Sequence, residues 1–274
     1  MHWMLHKQLA ETGVSGQTHS VQSPHFSVLS NRTRADVLSM VCKSCYDDIA
    51  DEYYDPRHIT SRNFETTTER ALRTVGCGLP DRGLILDLGS GRGAAHRYCR
   101  VRSTRVVHVD LSPRMLRLRP REASSARILA DAMALPVRDR TIGAVVAFLY
   151  DPFNVPGFYG ELGRTLAVGG VFLGSLPHLE WGSVLRRLRG YPLDEAHMLD
   201  RAGGTVARAS FLMDEQELRT HLLAAGLERI DVWSASMPRG SGPLSPDLVE
   251  PAEVVGVSPH ELPFVTLVRA EKAA

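Results

Sequence analysis

Three carboxylates stand where short apolar runs stop, and each suits a different part of a ligand. Asp87 sits in Leu84-Ile85-Leu86-Asp87-Leu88, two residues before a glycine, where it can meet a cationic amine. Asp110 closes Val106-Val107-His108-Val109-Asp110, twenty-one residues after Gly89, and can take two ribose hydroxyls. Asp131 closes Arg127-Ile128-Leu129-Ala130-Asp131, where a carboxylate can accept the exocyclic amine of adenine. After the first run comes Gly89-Ser90-Gly91-Arg92-Gly93-Ala94. Glycines there let the backbone come close to a ligand. Gly89-x-Gly91-x-x-Ala94 also fits the relaxed dinucleotide fingerprint, so the loop alone leaves the ligand open.

These residues need a frame that brings strand ends together. The three runs read as buried parallel strands. Residues 142–149 and 171–176 are a fourth and a fifth. Helical or loop segments separate them, which argues for a parallel sheet with right-handed crossovers. Asp214 followed by Glu217 has capping-box spacing and starts a helix that ends at Gly226. Residues 230–235 and 264–269 read as a sixth and a seventh strand. Upstream, apolar residues at spacings of three and four predict a helix over 34–54, ended by Pro56, and another over 63–75.

With the motifs in this order, the chain resembles the class I S-adenosylmethionine-dependent methyltransferases. The resemblance rests on residues 84–93, on Val109-Asp110-Leu111-Ser112-Pro113-Arg114-Met115-Leu116, on Ala130-Asp131-Ala132-Met133-Ala134-Leu135-Pro136, and on Glu161-Leu162-Gly163-Arg164-Thr165-Leu166-Ala167-Val168-Gly169-Gly170. It covers residues 80–176, and its texture is closest to the small-molecule branch, like the ubiquinone and menaquinone biosynthesis methyltransferases. It departs from the family at Ala167-Val168, where Lys-Pro is common, and in a long proline-rich segment before the last strand. The resemblance implies an α/β fold: a Rossmann-like, doubly wound, seven-stranded sheet, mostly parallel with an antiparallel last strand, under N-terminal helices forming a lid. It implies S-adenosylmethionine as cofactor. Gly89 and Gly91, with Ser90 between them, would pass close to its methionine part, and Asp87 would support its amino group. Asp110 would hold the ribose, Leu111 and Met115 flank the adenine, and Asp131 with the backbone of Ala132 read the adenine edge. Tyr150 follows the fourth strand and His178 the fifth, where the family places residues near the transferred methyl, so both are candidate catalytic residues.

Other clusters carry weaker chemistry. Tyr46-Asp47-Asp48-Ile49-Ala50-Asp51-Glu52-Tyr53-Tyr54-Asp55 resembles the family's tyrosine-rich lid helix. Cys42-x-x-Cys45 lies in a helical pattern with no second pair of ligands, so no metal is expected. Nine arginines in residues 92–121 face one acid, yet no aromatic residues interleave for base stacking, so they read as a solvated face. Asp151-Pro152-Phe153 is one proline short of the motif by which some methyltransferases hold an amino group. His178, Glu180, Trp181 and His197 mark an insertion that would cover the substrate.

Composition bounds the rest. The 274 residues carry 43% hydrophobic and 23% charged residues at net charge +1, so whole-chain disorder and any global pull to nucleic acid or anionic lipid are excluded. No apolar run spans a membrane, and four cysteines make no disulfide framework, so a reducing cytoplasm is expected. The chain divides into a loose leader (1–33), a helical lid (34–79) and a cofactor-binding core (80–274), with an insertion at 177–210 and a proline-rich loop at 237–263. The expected activity is methyl transfer to a small molecule in biosynthetic or secondary metabolism. The alternatives are methylation of an RNA or protein amino group, a non-catalytic cofactor-binding module, and a nicotinamide-dependent oxidoreductase. No nucleic-acid or membrane partner is expected, and the acceptor and oligomeric state are not legible.

Overall fold

The computed structural model describes residues 46–55, 57–118, 125–200 and 202–274. The leader, the first part of the 34–54 helix and the Cys42–Cys45 pair lie outside the described residues. Among the described residues nine strands and eight α-helices follow in order. They are α1 (Ala50–Tyr53), α2 (Ile59–Val75), β1 (Ile85–Leu88), α3 (Ala94–Cys99), β2 (Val106–Asp110), α4 (Pro113–Leu118), β3 (Ala126–Leu129), β4 (Ile142–Phe148), α5 (Pro156–Thr165), β5 (Leu166–Pro177), α6 (Leu179–Arg189), β6 (Glu195–Leu199), β7 (Thr205–Ala209), α7 (Glu215–Ala224), β8 (Leu227–Ala235), α8 (Pro246–Val255) and β9 (Val265–Lys272).

Seven strands form one sheet in the order β3-β2-β1-β4-β5-β9-β8. The first five are parallel to one another, and β9 runs antiparallel to both β5 and β8. The sheet expected from the sequence is present, its last strand antiparallel. Strand alternation explains why both faces are covered. Leu86, Leu88, Val145, Ala147 and Phe172 point into one core with Phe158, Tyr159 and Leu162 of α5 and Leu218 and Leu222 of α7. Ile85, Ala144, Val146 and Leu173 point into the other with Phe64 and Leu72 of α2, Trp181 of α6, and Leu248 and Ala252 of α8. A central parallel strand is buried on both sides, and Ile85–Leu88 is buried along its whole length and apolar except at Asp87.

The insertion after β5 forms α6 and then the β6–β7 hairpin, a separate two-stranded sheet. One expectation needs correction. The proline-rich segment is not a loop throughout, because Pro246 opens the ten-residue α8 at a position where proline costs nothing. Pro251 sits inside that helix and cannot donate to the carbonyl of Asp247 four residues back. Trp181 Nε1 donates to that carbonyl instead, at 2.7 Å. The capping box of α7 forms as expected between Asp214 and Glu217. Among the described residues no helix is long and apolar enough to cross a membrane.

Candidate cofactor and acceptor cleft

The chain leaves β1 for β2 on one side of the sheet and returns to β4 on the other, so the switch point lies at the carboxyl ends of β1 and β4. A cleft of about 590 Å³ opens there. Gly89, Ser90, Gly91, Asp110, Leu111, Met115, Asp131 and Ala132 all line it, so residues spread over three strand ends share one wall.

The glycine turn is held in a shape that side chains resist. Gly89 and Gly91 have φ of +59° and +45°. A Cβ on Gly89 would stand 3.0 Å from the Phe153 ring, and one on Gly91 would run into the Tyr54 hydroxyl. Asp110 ties the turn to α4: its Oδ2 accepts from Gly91 N and its Oδ1 from Ser112 N, both at 2.9 Å. Burial raises the Asp110 carboxyl above the usual range, opposed by those two N–H groups. Asp131 Oδ1 accepts from Met133 N at 2.9 Å. Ser90 Oγ is buried with no partner among the described residues, although Ser90 lines the cleft. An orphaned hydroxyl beside a close-approach glycine turn suits a polar ligand such as the methionine end of S-adenosylmethionine.

Asp87 is placed otherwise than expected. It lies beneath the turn and is not among the lining residues. Its strand register sets it opposite His108, whose Nδ1 is 3.0 Å from Asp87 Oδ2, and Ala95 N donates to the same oxygen at 3.3 Å. From there it braces the start of α3.

The opposite wall comes from α1 and α2. Tyr46, Tyr53 and Tyr54 line the cleft, and the rings of Tyr46 and Tyr53 meet edge-on at 5.6 Å. Tyr54 Oη accepts from Arg92 N at 2.9 Å, and the Arg92 guanidinium lies 4.0 Å above its ring. The acids around these tyrosines are anchors. Asp47 Oδ1 accepts from Ser112 Oγ and Arg114 N at 2.9 and 2.8 Å, Asp51 pairs with Arg114, and Asp48 with Arg208 of the hairpin. His58, just before α2, lines it too, as do Arg62, Asn63, Glu65 and Thr66 of α2 and Arg97 and Tyr98 of α3. Asn63 Nδ2 donates to the Pro243 carbonyl and Asn63 Oδ1 accepts from Ser245 N, both at 2.9 Å, which fixes the 241–243 stretch as the rim. The sequence puts this helix in the 34–79 lid but does not single out its lining residues. The available signal was an amphipathic helix whose buried side holds Asn63, Thr67 and Thr68 beside Phe64 and Leu72.

Neither candidate catalytic residue reaches the cleft. Leu149 takes a left-handed φ of +53°, which turns the chain so that Tyr150 points into the core. Tyr150 is fully buried there, its ring among Phe153, Phe158 and Phe172 and its hydroxyl 3.4 Å from that of Tyr159. His178 is the N-cap of α6: its Nδ1 accepts from Glu180 N at 3.2 Å and its Nε2 meets Ser234 Oγ at 3.2 Å. Of the other insertion residues, Trp181 packs on Phe264 and His197 stacks on Tyr191 at 3.7 Å. Asp151 is also turned away. Its Oδ2 accepts from Ser210 Oγ at 2.5 Å, and Arg186 Nη2 donates to that same hydroxyl at 2.6 Å. Burial pushes the Asp151 carboxyl up to about 6 against the pull of Ser210 and Arg186. The carboxylate that would grip a target amine is thus committed elsewhere. Pro152 and Phe153 of the same turn do line the cleft.

Tyr150→Phe and His178→Ala are therefore expected to keep parent-like cofactor affinity and turnover. Each should lose about 1 kcal/mol of stability, from one hydrogen bond or one cap. Single-turnover rates on saturating cofactor check this, and a loss of a hundredfold in either would return that residue to the chemistry.

Some arginines of the 92–121 stretch hold the fold together. Arg105 donates to the carbonyls of Gly83 and Pro80 at 2.9 and 2.7 Å, and Arg97 pairs with Glu65 at 2.7 Å.

Comparisons with known proteins agree with this geometry. Residues 86–174 match the family model described as a methyltransferase domain. No curated protein matches the chain. Among solved structures it is similar to a Haloferax volcanii protein solved in complex with the Trm112 methyltransferase activator. That match has 18% identity, a TM-score of 0.59, and covers 83% of this chain and 99% of that one. A Thermotoga maritima S-adenosylmethionine-dependent methyltransferase gives 17% identity, a TM-score of 0.57, and 83% and 97% coverage. The Burkholderia thailandensis 1,6-didemethyltoxoflavin-N1-methyltransferase, solved with its substrate and S-adenosylhomocysteine, gives 18%, 0.50, and 89% and 92%. These likenesses share the fold, and the matched domain supplies the activity. Residues 86–174 are thus a methyltransferase domain, set in the Rossmann-like fold that these structures share.

Proposed function

We propose that this enzyme methylates a small-molecule acceptor held between the glycine turn and the α1–α2 wall, as a step in biosynthetic or secondary metabolism. The observation that carries the reading is the tyrosine wall over the turn: Tyr54 bonds the turn itself, and Tyr46 and Tyr53 line the same cleft. At about 590 Å³ the cleft falls in the range of about 300–1,000 Å³ usual for enclosed small ligands.

In this reading Asp110 takes the two ribose hydroxyls, and Leu111 and Met115 flank the adenine. Asp131 and the Ala132 backbone read its edge, and Gly89, Ser90 and Gly91 meet the methionine end. Bound S-adenosylmethionine supplies an electrophilic sulfonium methyl with a good leaving group. The chain's own work is then to orient the acceptor in line and to exclude water, and positioning can supply most of the rate.

Calorimetry tests the cofactor half. S-adenosylmethionine should bind with a micromolar dissociation constant and NAD should give no heat; the reverse result would sink the reading. The acceptor half is tested by release of S-adenosylhomocysteine with pooled small metabolites against RNA and protein fractions. Turnover confined to the macromolecular fractions would reject a small acceptor.

A further inference from the structure

Helix α2 has two sides. Phe64, Thr67, Thr68 and Leu72 face the core. Arg62, Thr66, Arg70 and Arg73, at spacings of four, four and three, form a stripe on one other side of the helix. The stripe begins in the cofactor cleft, which Arg62 and Thr66 line. It continues into a second hollow of about 330 Å³, lined by Thr66, Glu69, Arg70 and Arg73 and, from the loop opposite, by Arg239 and Ser241. Thr66 and Ser241 line both, so the two spaces adjoin.

The hollow holds three guanidinium groups against one carboxylate. Glu69 accepts from Arg73 at 2.6 Å and so fixes that side chain. Arg239 reaches Glu261 only at 3.9 Å, with both side chains exposed. Arg70 makes no ion pair with another described residue. Positive charge and free N–H donors therefore remain. Planar guanidinium donors match the oxygens of phosphate, two at a time. No aromatic residue lines the hollow, so it offers no platform for stacking bases. At a rise of about 1.5 Å per residue, Arg73 lies about 10 Å along the helix from Thr66. That is a short reach, suited to a compact molecule.

We propose that this hollow is the anion subsite of the acceptor, and that the acceptor carries a phosphate or diphosphate group seated between Arg70 and Arg239, its methyl-accepting end reaching past Thr66 into the cleft. The inference rests on the small-acceptor reading above and names its chemical class.

The test uses the full chain saturated with S-adenosylhomocysteine and titrated calorimetrically with inorganic diphosphate. Saturable binding is expected, weakened by added salt. It should fall about tenfold or more in the double variant Arg70→Gln/Arg239→Gln, the loss of one or two charge-assisted contacts. Both positions are outside the cofactor wall, so affinity for S-adenosylhomocysteine should be unchanged in the variant. Absence of saturable diphosphate binding, or equal binding in parent and variant, overturns the subsite. A short single-stranded RNA that binds the parent more tightly than diphosphate, and loses affinity in the same variant, overturns it in favour of a nucleic acid. Failure of S-adenosylhomocysteine to bind the parent at all would instead strike at the cofactor reading, a separate result.

Discussion

Replacing Arg186 by methionine is expected to cost about 3–5 kcal/mol of stability, because it strands a buried carboxylate. Arg186 and Asp151 are 5% and 6% exposed, and both hold the Ser210 hydroxyl. Burial pushes Arg186 down to about 10, which leaves it charged at neutral pH. Asp151 moves the other way, from 3.8 to about 6. A carboxyl whose folded value is raised favours folding in its protonated form. That contribution is present in full below the unfolded value and is lost as pH rises through the folded one. Removing Arg186 takes away the cation that holds the value down, so the carboxyl rises further. The deficit of Arg186→Met relative to the parent should then be small near pH 5 and large at pH 8. Urea melts at both values measure it. A deficit independent of pH would mean that the two groups do not share their charges.

The same network shows why part of the molecule was hidden in the sequence. Asp151, Arg186 and Ser210 come from the turn after β4, from α6 and from the end of β7, and only the fold brings them together. The cofactor wall was legible for the opposite reason. Each of its parts is local: a strand end, a glycine turn, the first residue after a strand. Once those apolar runs are strands, the alternation of strand geometry fixes which face each residue of 85–88 and 142–148 takes. Tyr150 was misplaced because its direction depends on Leu149, a leucine with φ of +53°, a conformation no local pattern announces. His178 was misplaced because a residue after a strand is as easily a helix cap as a base, and here it caps α6.

Helix α2 was legible as part of the lid, but its wall residues were not. Its sequence has an apolar spine of Phe64 and Leu72, so it reads as an ordinary amphipathic helix. What makes it a wall is its register against β9, the rim at 241–243 and α3. Asn63 holds Pro243 and Ser245, Glu65 holds Arg97, and Trp181 and Phe264 close around Phe64 at ring distances of 5.1 and 4.1 Å. These contacts join residues as far apart as Phe64 and Phe264, and sequence periodicity carries no information on them.

The second large effect belongs to Asp110. Asp110→Ala is expected to lose about ten- to a hundredfold in affinity for S-adenosylhomocysteine, since a hydrogen bond to a charged group is worth about 1.5–3 kcal/mol. Affinity alone does not separate two ways of losing it. The carboxylate already accepts from Gly91 N and Ser112 N, so the variant also loosens the turn, and its melting temperature without ligand should fall. The 2′-deoxy analogue of the ligand resolves the two. If Asp110 touches the ribose, the parent binds the ribose form more tightly than the deoxy form, and the variant binds both equally weakly. If Asp110 only organises the turn, parent and variant keep the same ratio between the two ligands while both affinities fall. Preservation of that ratio in Asp110→Ala would remove the ribose contact from the site and leave Asp110 as the brace between the glycine turn and α4.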